Sequence, residues 1–315
     1  MKPGRRLFVL LLLGLLTGLS VIGCNGGGTG SRTEVIKVGS KDFTEQFILG
    51  EMYALVLENS GFEVERKLNL GGTPVAQAGL ESAQIDLYPE YTGTGLLTVL
   101  KLPARSGDRS ASVSENRQQV FQTVSQGYKQ KFNLIWLAPA PMNNTQALAI
   151  TQETAKQYGL QTISDLVSQA GELTMIGTPE FEAREDGLPG LKRVYGDFKF
   201  KKYIPADPGL RYQALQNGQA DVAEAFGTDG EISAFNLVVL KDDKGLFPPY
   251  QVAPVVRQET LATHPQIRDV LNALAPRLTD TTMRRLNYEV SGKQREPAEV
   301  AKEFLMQAGL LKNNP

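Results

Sequence analysis

Two stretches of the sequence, QIDLYPEYTGTG at residues 84–95 and QADVAEAFGTDG at residues 219–230, carry the main information about the fold. At an offset of 135 residues they share a glutamine, an aspartate, an apolar residue, an aromatic residue and a final glycine, and Tyr91 aligns with Phe226. Open α/β sheets bind ligands at the carboxyl ends of their strands. This weak repeat therefore suggests two related α/β lobes, each with an aromatic residue at a strand end.

Predicted strands and helices alternate around both stretches, which is typical of a parallel sheet flanked by helices. Asp42 is expected to cap the first helix, with Glu45 completing a capping box. Thr73 is expected to cap the second helix, and its GGT start could hold an anion, although such glycines usually mark only a turn. Residues from about 267 onward are predicted to be helical. The other predicted strands are residues 35–38, 64–70, 174–177 and 201–204.

The N-terminal residues predict a targeting signal rather than part of the fold. Basic residues precede a short apolar run at residues 7–16, which fits a signal peptide. A membrane-spanning helix needs about 20 apolar residues, and this run is shorter. The sequence VIGC resembles the lipobox of bacterial lipoproteins, in which the cysteine carries the lipid, and Cys24 is the only cysteine. The alternative is a plain secretory signal with an incidental cysteine.

We therefore expect residues 1–23 to be a lipoprotein signal peptide and the glycine-rich residues 24–33 to be a flexible tether. A lipid on Cys24 would anchor the protein to a bacterial membrane on its extracytoplasmic side. Removal of residues 1–23 leaves 30 basic against 34 acidic residues, a net charge of −4. This balance gives no indication of a nucleic-acid partner.

The residues needed for common kinds of catalysis are missing. His264 is the only histidine and precedes a proline in a polar stretch, so we interpret it as a surface residue. No pair of His or Cys is available for a metal site or a nucleophile, and no cofactor motif is present. Glu90, Glu180 and Glu182 could act as acids or bases, but solvated carboxylates are commoner. The sequence favours a binding protein without metal or cofactor over an enzyme.

Aromatic and cationic residues at loop positions suggest what is bound. Tyr91, Phe226 and Tyr250 offer π faces, which attract a quaternary ammonium by about 0.5 to 2 kcal/mol each. Lys41 and Arg184 can donate charge-assisted hydrogen bonds to a carboxylate. The alternative is that the tyrosines pack in the core and the cations are solvated.

Several motifs, in order, resemble those of the glycine betaine, proline betaine and choline-binding proteins of osmoprotectant ABC importers. They are GSKDFTEQ at residues 39–46, YPEYTGTG at 88–95, NNTQALAI at 143–150, PEFEAREDGLPGLKRVYG at 179–196 and DDKGLFPPY at 242–250. The resemblance implies a two-lobed, type II periplasmic-binding-protein fold, with a mainly parallel sheet in each lobe. It implies a first lobe of residues 34–142 plus 250–315 and a second lobe of residues 143–249.

The resemblance also implies a ligand site. Matching the motifs position by position gives seven ligand-binding residues: Lys41, Tyr91, Thr94, Gln146, Arg184, Phe226 and Tyr250. Gln146 and Phe226 stand where the family commonly has tyrosine, so Gln146 opens one wall of the aromatic cage. Phe226 is expected to face Tyr91 across the cleft.

The function that the resemblance implies is capture of glycine betaine or a related carboxylated quaternary amine between two closing lobes. The partners are an ABC permease and its ATPase. We expect choline to be disfavoured, because it would leave the Lys41 and Arg184 charges unpaired. The alternatives are a binder for another zwitterion or polar solute, and a ligand sensor. Porphobilinogen deaminase has a similar lobed fold, but it needs a cysteine within the domain for its cofactor.

Overall fold

A computed structural model describes residues 35–103 and 113–311. The predicted signal peptide, Cys24 and tether lie outside the described residues. Among the described residues, no helix has the length and apolar character needed to cross a bilayer. The strands are β1 (Ile36–Gly39), β2 (Val64–Lys67), β3 (Leu87–Tyr91), β4 (Leu134–Trp136), β5 (Gln146–Ile150), β6 (Thr174–Gly177), β7 (Lys202–Pro205), β8 (Val222–Phe226), β9 (Val238–Val239) and β10 (Val252–Arg257).

Helices fill most of the remaining described chain. In chain order they are α1 (Thr44–Asn59), α2 (Thr73–Glu81), α3 (Thr92–Thr94), α4 (Val113–Phe132), α5 (Gln152–Tyr158), α6 (Ile163–Gln169), α7 (Pro179–Ala183), α8 (Leu188–Tyr195), α9 (Arg211–Gln216), α10 (Glu231–Ala234), α11 (Gln258–Thr263), α12 (Ile267–Leu274), α13 (Asp280–Ser291) and α14 (Pro297–Gln307). A π-helical turn, Gly95–Val99, continues α3. The helical C-terminal region expected from the sequence is confirmed.

The strands form two sheets with the same design. The first has the order β2-β1-β3-β10-β4 and the second the order β7-β6-β8-β5-β9. In each sheet the first three strands are parallel, the fourth is antiparallel to both neighbours, and the fifth returns to the common direction. Apolar clusters cover both faces of each sheet. The expected α/β fold with two sheets flanked by helices is confirmed, and each sheet is mixed, because two of its four strand pairings are antiparallel.

The repeat at an offset of 135 residues is reproduced in the fold, because β3 and β8 hold the same third position in their sheets. The chain crosses from the first sheet to the second after β4 and returns before β10. The two crossing segments bond to each other, with Asn144 N donating to Tyr250 O at 3.0 Å and Tyr250 N donating to Asn143 Oδ1 at 2.7 Å. The lobe boundaries expected near residues 142 and 249 fall in these segments and stay a prediction.

Both predicted helix caps are wrong. Phe43 is the N-cap residue of α1 and makes no side-chain cap, so Asp42 and Glu45 form no capping box. Gly72, not Thr73, is the N-cap residue of α2. The Glu45 carboxylate and the Thr73 hydroxyl instead bond residues that are distant in sequence.

Candidate functional site

The carboxyl ends of β3 and β8 open onto one cavity. All seven residues expected from the sequence line it, namely Lys41, Tyr91, Thr94, Gln146, Arg184, Phe226 and Tyr250. The structure thus brings together side chains from both sheets and from the segments that connect them.

One side of the cavity is a stack of three aromatic rings. The Phe43 ring is nearly parallel to the other two, with its centroid 6.2 Å from that of Tyr91 and 5.7 Å from that of Phe226. Phe43 thus joins Tyr91 and Phe226 in one aromatic wall, and the expectation that Phe226 faces Tyr91 across the cleft stays a prediction. Phe43 lies in the motif that contains Lys41, and its place directly before α1 is what could have signalled this role.

The two cations of the site already have buried carboxylate partners. Lys41 Nζ lies 2.7 Å from Glu90 Oε1, and both side chains are almost completely buried. Lys41 Nζ also donates to Thr73 Oγ1 at 3.2 Å. Glu90 is therefore buried and paired, whereas most glutamate side chains in proteins are solvated. The argument that choline would leave Lys41 unpaired is wrong, because Glu90 neutralises it.

Arg184 is paired in the same way, by Asp186. Its Nε lies 2.6 Å from Asp186 Oδ1 and its Nη2 lies 2.5 Å from Asp186 Oδ2. Tyr250 Oη donates to Asp186 Oδ2 at 2.7 Å. Burial would raise the pKa of Asp186, but the Arg184 charge and these hydrogen bonds hold it below its ordinary value. The argument from an unpaired Arg184 is therefore wrong as well.

Arg184 also connects the two sheets. Its Nη2 donates to Thr94 Oγ1 at 3.2 Å, and Thr94 follows β3 of the first sheet. Its Nη1 lies 3.4 Å from Glu180 Oε1, which is a long contact. Four of the five guanidinium N–H groups can be assigned to these acceptors, and Nη1 is the group whose contact is weakest.

Glu180 supplies the anion at the start of α2. Its Oε1 accepts a hydrogen bond from Thr73 N at 3.1 Å, across 107 residues of sequence. A negative charge is favoured here because the first N–H groups of a helix have no partner within it. Gly72 allows the approach, since a Cβ at that position would lie 2.4 Å from Glu180 Oε2.

Glu45 is the buried centre of the polar contacts behind the aromatic stack. Tyr91 Oη and Asn144 Nδ2 donate to its Oε1, at 2.8 and 2.9 Å. Thr228 Oγ1 and Asn287 Nδ2 donate to its Oε2, at 2.6 and 2.8 Å. Burial raises the pKa of Glu45 to about 7, while the donors oppose the rise. The sequence analysis missed this role because the four donors are distant in sequence.

Carboxylates outnumber cations around the cavity. Lys41 and Arg184 line it together with Asp42, Glu180 and Glu224. Burial raises the pKa of Asp42 and of Glu224, where the Arg211 charge opposes the rise. The surplus of negative charge and the ring stack together favour a ligand with a cationic group. Within the described residues, no group of three or more His, Cys, Asp or Glu side chains could hold a metal ion.

Comparison with known proteins decides the family. A model of the substrate-binding domain of ABC-type glycine betaine transport systems matches residues 34–307. The chain belongs to this family. Its relatives include substrate-binding proteins of transport systems.

Relatives within the family are similar over most of the chain. A glycine-betaine-binding protein of Pseudomonas aeruginosa is 37% identical over 291 residues, which cover 89% of this chain and 90% of that protein. An ergothioneine transport permease/ergothioneine-binding protein of Helicobacter pylori is 35% identical over 274 residues. Those residues cover 87% of this chain but 47% of the Helicobacter protein, so this chain spans about half its length.

A solved structure shares the fold. The crystal structure of a glycine betaine/carnitine/choline ABC transporter superposes with a TM-score of 0.68 at 33% identity. The match covers 88% of this chain and 100% of that chain. The two-sheet architecture described above is therefore that of the type II periplasmic binding proteins.

Proposed function

We propose that this chain captures glycine betaine, or another carboxylated quaternary amine, in the cavity between its two sheets. It then delivers the ligand to an ABC permease driven by an ATPase. The observation that carries the proposal is the ring stack of Tyr91, Phe43 and Phe226 in a cavity with surplus carboxylates. A quaternary ammonium against these rings gains cation–π attraction, and the carboxylates add to it.

The ligand's own carboxylate is proposed to lie toward Arg184. Its Nη1 has the longest contact of the guanidinium group, to Glu180, so an incoming carboxylate can replace Glu180 there. Thr94 Oγ1 accepts a hydrogen bond from Arg184 Nη2, and Lys41 is connected to Arg184 through Thr73 and Glu180, so both are proposed to complete the polar end. Gln146 at the start of β5 and Tyr250 in the segment before β10 are proposed to contact the ligand as well. The names of the relatives support the ligand class, which in those proteins includes glycine betaine and ergothioneine.

Because the ligand touches both sheets, it binds the closed state better and shifts the population toward it. We propose that the protein works outside the cytoplasm, anchored through a lipid on Cys24, which keeps it close to the permease. A ligand sensor that signals to a membrane partner is the second candidate. A permease gene and an ATPase gene beside this one would favour the importer, and a signalling receptor gene would favour the sensor.

A calorimetric titration tests the proposal. Glycine betaine, proline betaine, choline and common amino acids are titrated into the wild-type protein and into Arg184→Ala. We expect tight binding of the betaines. We expect Arg184→Ala to weaken glycine betaine far more than choline, because choline has no carboxylate for Arg184 to hold.

Two results would count against the proposal. An absence of betaine binding up to millimolar concentration, together with tight binding of an amino acid, would refute the ligand class. An equal loss for glycine betaine and choline in Arg184→Ala would assign Arg184 a structural role through Asp186 instead of a carboxylate-binding role.

A further inference from the structure

Two amide side chains that line the cavity have buried oxygens with no hydrogen-bond donor among the described residues. Asn144 and Gln146 lie two residues apart at the start of β5, and both line the cavity. Asn144 is 4% exposed and Gln146 is 2% exposed. Within the described residues, Asn144 Oδ1 and Gln146 Oε1 are both buried and accept no hydrogen bond.

The orientation of Asn144 follows from its neighbour. Asn144 Nδ2 donates to Glu45 Oε1 at 2.9 Å, so the amide nitrogen faces the carboxylate and Oδ1 faces away from it. Most buried polar side-chain atoms have a hydrogen-bond partner. A buried acceptor without a donor costs free energy, because it has lost its bonds to water. Two such acceptors in one cavity therefore point to a donor on the ligand.

Gln146 brings one acceptor next to the aromatic stack. It lies directly opposite Phe226 in the antiparallel pairing of β5 with β8, and directly opposite side chains are neighbours on one face. A quaternary ammonium and a carboxylate have no N–H or O–H group. Glycine betaine consists only of these two groups joined by one carbon, so it cannot satisfy either oxygen.

We infer that the cavity prefers those carboxylated quaternary amines that carry an additional N–H or O–H donor. Asn144 Oδ1 and Gln146 Oε1 are the acceptors for that donor, and Gln146 is a specificity-determining residue rather than a gap in the cage. This inference rests on the proposed function and narrows its substrate class.

The test uses ligands that differ in the donor. L-Carnitine and 4-(trimethylammonio)butanoate are identical except for the hydroxyl group of carnitine. Ergothioneine offers N–H donors on an imidazole ring, and glycine betaine has no donor. The affinities of the four ligands are measured by calorimetry for the wild-type protein, for Gln146→Met and for Gln77→Met. Gln77 is a buried control outside the cavity whose amide bonds Tyr88 and Glu81.

We expect the wild-type protein to bind at least one donor-bearing ligand about tenfold or more tightly than the donor-free ligands. Gln146→Met, which is close in size and has no amide, should reduce that preference to threefold or less. Gln77→Met should leave the preference unchanged.

Equal affinity of the wild-type protein for all four ligands would overturn the inference while leaving the proposed function intact. An unchanged preference in Gln146→Met would also overturn it. If the wild-type protein binds none of the four up to millimolar concentration, the inference and the proposed function both fail.

Discussion

Strands β3 and β8 occupy the same position in their sheets, yet their last residues are held in different ways. Tyr91 is buried, and its hydroxyl donates to Glu45 at 2.8 Å. Phe226 has no hydroxyl and is half-buried, and the Arg211 guanidinium lies 5.0 Å from its ring centroid. Lys41 Nζ likewise lies 5.1 Å from the Tyr91 ring centroid. Both rings therefore contact a cation, and the difference is that Tyr91 is also fixed by a hydrogen bond.

Each of the two strand ends also has a buried ion pair. On β3, Glu90 pairs with Lys41. On β8, Glu224 lies 3.5 Å from Arg211, and Asp229 lies 3.7 Å from Arg211 on its other side. Lys41, the cation at β3, lines the cavity, whereas Arg211 does not line it and contacts the Phe226 ring. The ion pair at β3 can therefore act on the ligand directly, and the ion pair at β8 supports an aromatic ring of the site.

Of the variants considered, Arg211→Leu should lower the free energy of unfolding most, because it removes the cation of the ion pair at the end of β8. Arg211→Leu leaves Glu224 and Asp229 buried without their cation, so we expect the free energy of unfolding to fall by about 3 to 5 kcal/mol. Urea unfolding measures it. The control is Arg193→Leu, which removes an exposed pair with Glu185 and should cost less than about 1 kcal/mol. Equal losses in both variants would contradict a central role for Arg211.

Replacing Glu45 should remove the hydrogen bond that fixes Tyr91 at the end of β3. Glu45→Leu removes the acceptor of four buried hydrogen bonds, and among the described residues only Asn287 Nδ2 keeps another acceptor, Thr228 O at 2.8 Å. We expect a loss of about 3 kcal/mol in the free energy of unfolding. Glu58→Leu lies on the same helix, where its side chain is 37% exposed, and should cost less than about 1 kcal/mol. If Glu45→Leu is as stable as Glu58→Leu, the four hydrogen bonds do not hold the strand end.

The raised pKa of Glu45 predicts a pH dependence. Because its pKa is about 7 in the folded protein against an ordinary 4.5, the folded state binds more protons between these pH values. The free energy of unfolding should therefore fall as pH rises from about 4.5 to 7, by up to about 3 kcal/mol. Glu45→Gln should remove this part of the slope. Parallel curves for the two proteins in urea unfolding between pH 4 and 8 would contradict the shift.

The smallest expected effect concerns the ring between the two strand ends. Phe43→Leu removes the π face that joins Tyr91 to Phe226, and should weaken glycine betaine by about 1 kcal/mol, or about fivefold. Phe62→Leu, at a ring that packs against the first-sheet core, should leave affinity unchanged. An unaltered affinity in Phe43→Leu would remove Phe43 from the proposed site.

The sequence predicts the aromatic side of the site better than its charged side. Tyr91 and Phe226 could be found because a strand of alternating or apolar residues ends at each, and the repeat aligns them. The same reasoning could not identify the carboxylate partners of Lys41 and Arg184. Burial of Glu90 and Asp186 depends on how the sheets close around them, and no local pattern distinguishes a buried carboxylate from a solvated one.

The failed caps have the same origin. Asp42, Glu45 and Thr73 carry local capping signals, but Glu45 bonds side chains up to 242 residues away, and Thr73 receives Glu180 from 107 residues away. The local capping hydrogen bonds do not form because a buried charge needs several donors, and only tertiary contacts supply them. In this protein the residues that depart from the local capping pattern therefore indicate where the site is.

The structure of the protein with bound glycine betaine tests the central claim most directly. We predict that the trimethylammonium group lies within about 6 Å of the ring centroids of Phe43 and of at least one of Tyr91 and Phe226. We predict that a carboxylate oxygen lies within about 3.2 Å of an Arg184 nitrogen. A reversed ligand, with its carboxylate against the rings, or a ligand bound outside this cavity would contradict the account.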